Sequence, residues 1–134
     1  MKSIIFFLFF QLIAFAENQT FVDTKTHLEW EDTAHVEADE KILKMSKSYC
    51  NTLDLEGHSD WRMPTRKELL SITDMVQHPT MARKFKFGTK SEYWTGEDYE
   101  EDDTLAWLVY MQYAHPYTDD KCEIAQVRCV RSSF

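Results

Sequence analysis

Residues 57–72 read GHSDWRMPTRKELLSI, and the reading of this stretch decides the fold. His58, Ser59 and Asp60 are the residue types of a hydrolytic triad. Three consecutive side chains diverge in an extended or turn conformation, whereas triad residues meet in space from distant positions. No G-x-S-x-G elbow is present either. The stretch reads instead as a structural corner. Gly57 makes a turn, Trp61-Arg62-Met63 is extended, and Pro64 biases Met63 away from helix. Thr65-Arg66-Lys67-Glu68 matches a capping box, in which the Thr hydroxyl takes the Glu68 amide and the Glu68 carboxylate reaches back. Asp60 and Glu68 are expected to accept hydrogen bonds from Arg62 and backbone amides, with Trp61 filling core. Leu69, Leu70, Ile72, Thr73 and Val76 then continue as one face of a helix that ends before Pro79.

Upstream, Ile42, Met45, Tyr49, Cys50 and Leu53 fall on a single helical face, with Glu37, Asp39 and Glu40 toward its positive end. Cys50 is thereby directed inward. Before that helix, FVDTKTHLEW predicts a hairpin: Phe21 and Val22, a turn at residues 23–26, then Leu28 to Trp30. Downstream, residues 78–90 have little hydrophobic rhythm and read as loop. Tyr93–Thr95 is a short strand, Leu105–Tyr113 a central one, and Ile124–Arg131 the last, with AHPYTDDK read as a turn. A hairpin, two helices and then strands define an α+β domain.

The two ends differ in kind. Lys2, an apolar run from Ile4 to Phe15 and Ala14-Phe15-Ala16 form the pattern of a secretory signal. Residues 1–16 are expected to be removed, leaving residues 17–134 as one domain. The whole chain carries a net charge of −8, which disfavours nucleic acid and anionic polysaccharides as partners. No other apolar run approaches membrane-spanning length. Three cysteines, Cys50, Cys122 and Cys129, in a chain bound for an oxidising compartment leave one thiol over. Spacing alone does not choose among the three pairings.

Taken together, FVDTKTHLEWED, SYCNTLDLEGHSDWRMPTRKELLSI, YWTG, LAWLV and VRCVR resemble the Lcl C-terminal-like family, a domain of unknown function. The shorter core R-M-P-T-x-x-E-L is also similar to the formylglycine-generating sulfatase-modifying family. Both resemblances imply a C-type-lectin-like fold, with two helices flanking a small twisted antiparallel sheet and the two termini close together. They also imply a disulfide from the first helix to the last strand, Cys50–Cys129, with Cys122 left as a free thiol. The sulfatase-modifying chemistry resembles copper held by two thiolates, and Cys122 alone does not supply that pair.

The candidate binding residues lie downstream of the corner. Tyr99 and Tyr117 sit in or beside polar loops where aromatic rings stack on ligands. Tyr113 does too, and Trp94, Asp102 and Asp103 complete the candidate set. The acidic run 97–103 offers Glu97, Asp98 and Asp102 as calcium ligands, although a charge block of this kind is ordinarily solvated. The histidines have no metal-ligand spacing, and no cofactor is expected. Arg66, Lys67, Arg83, Lys84, Lys86 and Lys90 form a basic segment opposite in sign to the acidic run. These features predict an exported, periplasmic or secreted, non-catalytic module that recognises a glycan or envelope protein through loops 78–92 and 96–103. The alternatives are an oxidoreductase-like relative of the formylglycine-generating enzymes, or a small envelope inhibitor or accessory protein bonded to a partner through Cys122.

Overall fold

The computed structural model describes residues 18–77, 85–88 and 92–134. The fold is α+β, with two three-stranded antiparallel sheets where the sequence suggested one. The first has the order β1-β2-β6 (Thr20–Asp23, Leu28–Glu31, Val130–Ser132) and the second β3-β4-β5 (Glu92–Asp98, Leu105–Tyr110, His115–Asp120). Among the described residues three helices lie between β2 and β3: a single turn α1 (His35–Ala38), α2 (Leu43–Thr52) and α3 (Arg66–Gln77). None of the helices among the described residues is long and apolar enough to cross a membrane. The first and last strands share a sheet, with β2 between them.

The expected hairpin forms, its turn held by Asp23, which accepts from the Lys25 amide (3.0 Å) and the Thr26 hydroxyl (3.0 Å). Helix α2 also forms, but its buried face is Leu43, Ser46 and Cys50, while Met45 is exposed. That face is turned one residue from the apolar one expected. Ser46 is tolerated inside because its hydroxyl donates to the Ile42 carbonyl at 3.1 Å, so no polar atom is left without a partner. Two further expectations are corrected. Residues 115–120, read as a turn, are a strand in six-residue register with β4. Pro116 and the two aspartates suit it to an edge, where a missing amide costs least. Leu105–Tyr113 ends as strand at Tyr110 and closes with a 3-10 turn, Met111–Tyr113, because Ala114 takes a left-handed conformation (φ 51°).

Ile124–Arg131 is not a continuous strand, and what it does instead joins the two sheets. Ala125 pairs with Lys41 and Gln126 runs parallel to Tyr93, while Val130 pairs with both Trp30 and Arg62. Every residue from Ala125 to Arg131 is buried. Three apolar clusters meet along this segment. One, around Trp30, Leu69, Ile72 and Val109, lies between α3 and both sheets. Another, around Leu43, Trp94 and Leu108, lies under α2. The third surrounds the Cys50–Cys129 disulfide with Leu55, Trp61 and Val127. That disulfide spans 79 residues of sequence, and closing so long a loop contributes roughly 4–5 kcal/mol in the chain-entropy model.

Arg128 is the unusual member of the segment. Its side chain is 2 % exposed and faces the equally buried Asp32 at 3.5 Å. It donates to the carbonyls of Glu31 (2.5 Å) and Phe87, with its guanidinium 4.4 Å from the centre of the Phe85 ring. Asp32 in turn accepts the amides of Lys86 (2.9 Å) and Phe87 (3.1 Å). Removing one member of a buried pair strands the other charge. Arg128→Met is therefore expected to lower unfolding free energy by about 3–5 kcal/mol in urea titrations. Arg62→Met, at a surface pair, should cost about 1 kcal/mol or less. Equal losses for the two variants would refute this ranking.

Candidate functional site

The corner at residues 57–72 is built as the capping-box reading requires. The Glu68 amide donates to the Thr65 hydroxyl at 3.1 Å, and the Thr65 amide donates to the Glu68 carboxylate at 2.9 Å. Arg62 adds a two-pronged pair to Glu68, both contacts 2.7 Å. Glu56 and Gly57 both have positive φ (52° and 75°) inside reciprocal Leu55–His58 backbone bonds of 3.0 Å. That is the tight two-residue reversal for which glycine is suited. The His58 carbonyl accepts the Trp61 indole N–H at 3.1 Å, and Trp61 is buried. Asp60, expected to pair with Arg62, instead pairs with Arg131 at 2.6 Å. Arg131 also reaches Glu29 at 2.6 Å, which accepts the Thr20 hydroxyl. The stretch thus spends its polar groups within itself, on β6 through Asp60, and on β3 through Arg66 and Glu97.

The acidic run is distributed in the same way. Glu97 binds the Arg66 amide (2.6 Å) and guanidinium (2.9 Å). Asp98 lies 3.3 Å from Lys121 and 3.7 Å from Lys47. Asp102 accepts the Thr104 amide (2.9 Å) and hydroxyl (2.6 Å), while Asp103 is exposed in the turn. The three calcium candidates therefore face three different neighbours. Among the described residues no three metal-ligating side chains converge. Arg66, from the basic segment, closes directly on the acidic run and lies 4.0 Å over the Trp107 ring. Lys67 and Lys86 are exposed, and Arg83, Lys84 and Lys90 lie outside the described residues. So does most of the expected 78–92 loop. The 96–103 loop is shorter than expected, since β3 runs through Asp98.

The candidate aromatics separate into three places. Trp94 is fully buried and its indole N–H donates to the Lys41 carbonyl at 2.9 Å, so it presents no face to a ligand. Tyr99 lies at the β3–β4 turn, its hydroxyl on Glu101 (3.0 Å) and its ring edge-on to Trp107 (5.6 Å). Tyr117, on β5, is partly buried: it pairs across the register with Leu108 and packs against the Leu43, Trp94 and Leu108 cluster. His115 stacks beside it (6.4 Å between centroids, 10° between planes). Across the register Tyr110 pairs with both His115 and Glu92, and Tyr113 meets Tyr110 edge-on at 5.2 Å. Tyr113 is 67 % exposed. Tyr110 and His115 are additions that the sequence shows only once HPYTDD is taken as a strand paired to LAWLVY.

Electrostatics follow these contacts. Burial, reinforced by the Glu92 carboxylate, raises the Tyr117 phenol above its ordinary range. Burial together with the Glu31 carboxylate does the same for Tyr49. Asp60 is held below the usual carboxylate range by Arg131, Asp98 by Lys121 and Lys47, and Asp102 by Thr104. For Glu68, burial pushes the carboxyl up, but the Arg62 pair and the Thr65 amide outweigh it and the net shift is down.

A disulfide-tied α+β domain whose corner motif is structural and whose second sheet ends in half-buried and exposed aromatic side chains is the class of protein these features define. The chain belongs to the Lcl C-terminal domain family, whose sequence profile matches residues 19–131. No curated protein matches it.

A carboxyl whose pKa is lowered by folding stabilises above its unfolded pKa, and that contribution is lost as pH falls through the folded value. The thermal midpoint should therefore hold through weakly acidic pH and fall below about pH 4. Glu68→Gln should cost about 1 kcal/mol at pH 7, and its deficit against the parent should narrow by pH 3. A deficit that stays constant with pH, followed by differential scanning fluorimetry, would rule out the Glu68 carboxylate as its source.

Proposed function

We propose that this domain is an exported, non-catalytic recognition module that binds a glycan at the cell envelope. The observation that carries this reading is the cluster of Tyr110, Tyr113, His115 and Tyr117 on one end of the second sheet, beside Glu92. Tyrosine offers a flat apolar face and a polar rim at low entropic cost, which suits the faces and hydroxyls of a sugar ring. His115, Gln112 and Glu92 stand nearby as hydrogen-bonding groups, Gln112 on the Tyr110 hydroxyl at 3.4 Å and Glu92 beside the Tyr117 phenol. Residues 1–16 serve as the secretory signal in this reading, and a periplasmic or secreted location follows from it.

A C-type-lectin-like ancestry is part of the proposal. It is supported by the helix-to-terminal-segment disulfide and by the first and last strands sharing a sheet. The oxidoreductase reading gains nothing from the arrangement of the sulfur atoms. Cys50 and Cys129 are bonded to each other, and Cys122 is exposed elsewhere.

Titration against a panel of neutral envelope polysaccharides should detect binding that Tyr113→Ala weakens about three- to tenfold without moving the thermal midpoint. Asp102→Ala and Tyr99→Ala should leave it unchanged. Loss confined to these last two variants would move the site to the β3–β4 turn, and absence of binding across the panel would sink the glycan reading.

A further inference from the structure

A second surface, distinct from the tyrosine cluster, has a chemistry of its own. Where the turn after β5 meets the start of α2, an open groove of about 360 Å³ has Ile42, Leu43 and Cys122 as its apolar lining and Lys44, Lys47 and Lys121 around it. Ligand pockets begin at about this size, with room for one short chain. Its walls are fixed to each other. The Leu43 amide donates to the Lys121 carbonyl at 3.2 Å, and Lys41 and Ala125 exchange backbone bonds of 2.8 and 3.0 Å. The cavity is therefore preorganised, which limits the ordering cost of filling it.

The sign of the charge here is opposite to that of the chain as a whole, which is −8. Asp98, between Lys121 and Lys47, and Asp120, which accepts the Cys122 amide at 2.7 Å, offset part of it. Lys44 is exposed and has no ion-pair partner among the described residues. The positive end of α2 adds to the same field. Its first turn contains no acidic residue, and the residue before it, Ile42, provides no side-chain cap. Of the three acidic residues expected toward this end, Glu37 and Asp39 lie in or just after α1, and the exposed Glu40 stands two residues before Ile42.

We infer that this groove binds a monomeric, single-chain anionic amphiphile, an acyl or aryl group ending in a carboxylate, sulfate or phosphate. The apolar lining takes the chain, and Lys44, Lys47 and Lys121 take the charged end. An uncharged chain of the same length lacks the second interaction, and a cationic one meets repulsion. Two-tailed bilayer lipids exceed the space available.

Cys122 serves as the reporter, because it lines the groove and is free. The purified chain is treated with neutral iodoacetamide in the presence of decanoate, decanol or decyltrimethylammonium, each below its micelle concentration, and carboxamidomethylation of Cys122 is followed by mass spectrometry. Saturating decanoate should slow the reaction at least about fivefold, with little effect from the other two. The Lys44→Gln/Lys47→Gln double variant should bind decanoate at least about fivefold more weakly by calorimetry with an unchanged thermal midpoint. Raising the salt concentration should weaken the parent's binding as well. Equal protection by decanol or by the cation overturns the inference, as does undiminished decanoate binding by the double variant. Protection by anionic phospholipid vesicles but not by monomeric decanoate would identify a membrane surface instead and would overturn it too. None of these results bears on the tyrosine cluster, whose test uses other residues and other ligands.

Discussion

The structure depends on keeping residues 125–131 out of water. A backbone segment that leaves solvent must have its amides and carbonyls matched, and this one is matched by a different neighbour at nearly every step. Lys41 matches Ala125, Glu92 and Trp94 match Gln126, Glu31 takes the Cys129 carbonyl and Arg62 matches Val130, while Cys50 supplies a covalent partner. Two arginines enter the interior with it. Arg128 answers Asp32 and the carbonyls of β2 and the 85–88 segment, and Arg131 answers Glu29 and Asp60. Without these acceptors the segment could not be buried, and without the segment the two sheets would share no backbone bridge through Gln126. Each sheet is too small to bury an apolar face by itself.

This arrangement explains why a motif with the residue types of an active site is a joint. Asp60 fastens the corner to the last strand, Arg62 both pairs with Val130 through its backbone and braces the helix cap through its side chain, and Trp61 seals the disulfide cluster. Polar density in the sequence reflects the number of elements meeting at that point. The exposed chemistry lies elsewhere, at the tyrosine end of the second sheet and at the lysine-rimmed groove beside α2.

What was legible in the sequence was mostly local. The capping box, the hairpin and the extension before Pro64 depend on residues within a few positions of one another, and each formed as read. The buried face of α2 was read one position off, because hydropathy ranks Met45 above Ser46 and does not register a hydroxyl that bonds its own helix. β5 was missed because HPYTDD has the composition of a turn; it is a strand only because β4 offers an edge. Asp60's true partner, Arg131, is 71 residues away, a distance no spacing rule spans. The disulfide came from family resemblance, since three cysteines permit three pairings. The tyrosine cluster was half visible: Tyr113 and Tyr117 stood out singly, and only the register gathers them with Tyr110 and His115.

The placement of the central segment also sets the order in which the chain folds. The hairpin and α3 are local and can form as soon as their residues are available. The apolar cluster around Cys50 has no lid until residues 125–131 arrive, and its defining cross-link joins positions 79 apart. Contacts so distant in sequence make folding slow and late. During synthesis, the first half of this domain must therefore wait, partly structured, for the second. The fold is complete only when Cys129 reaches Cys50 and residues 125–131 seal the third apolar cluster.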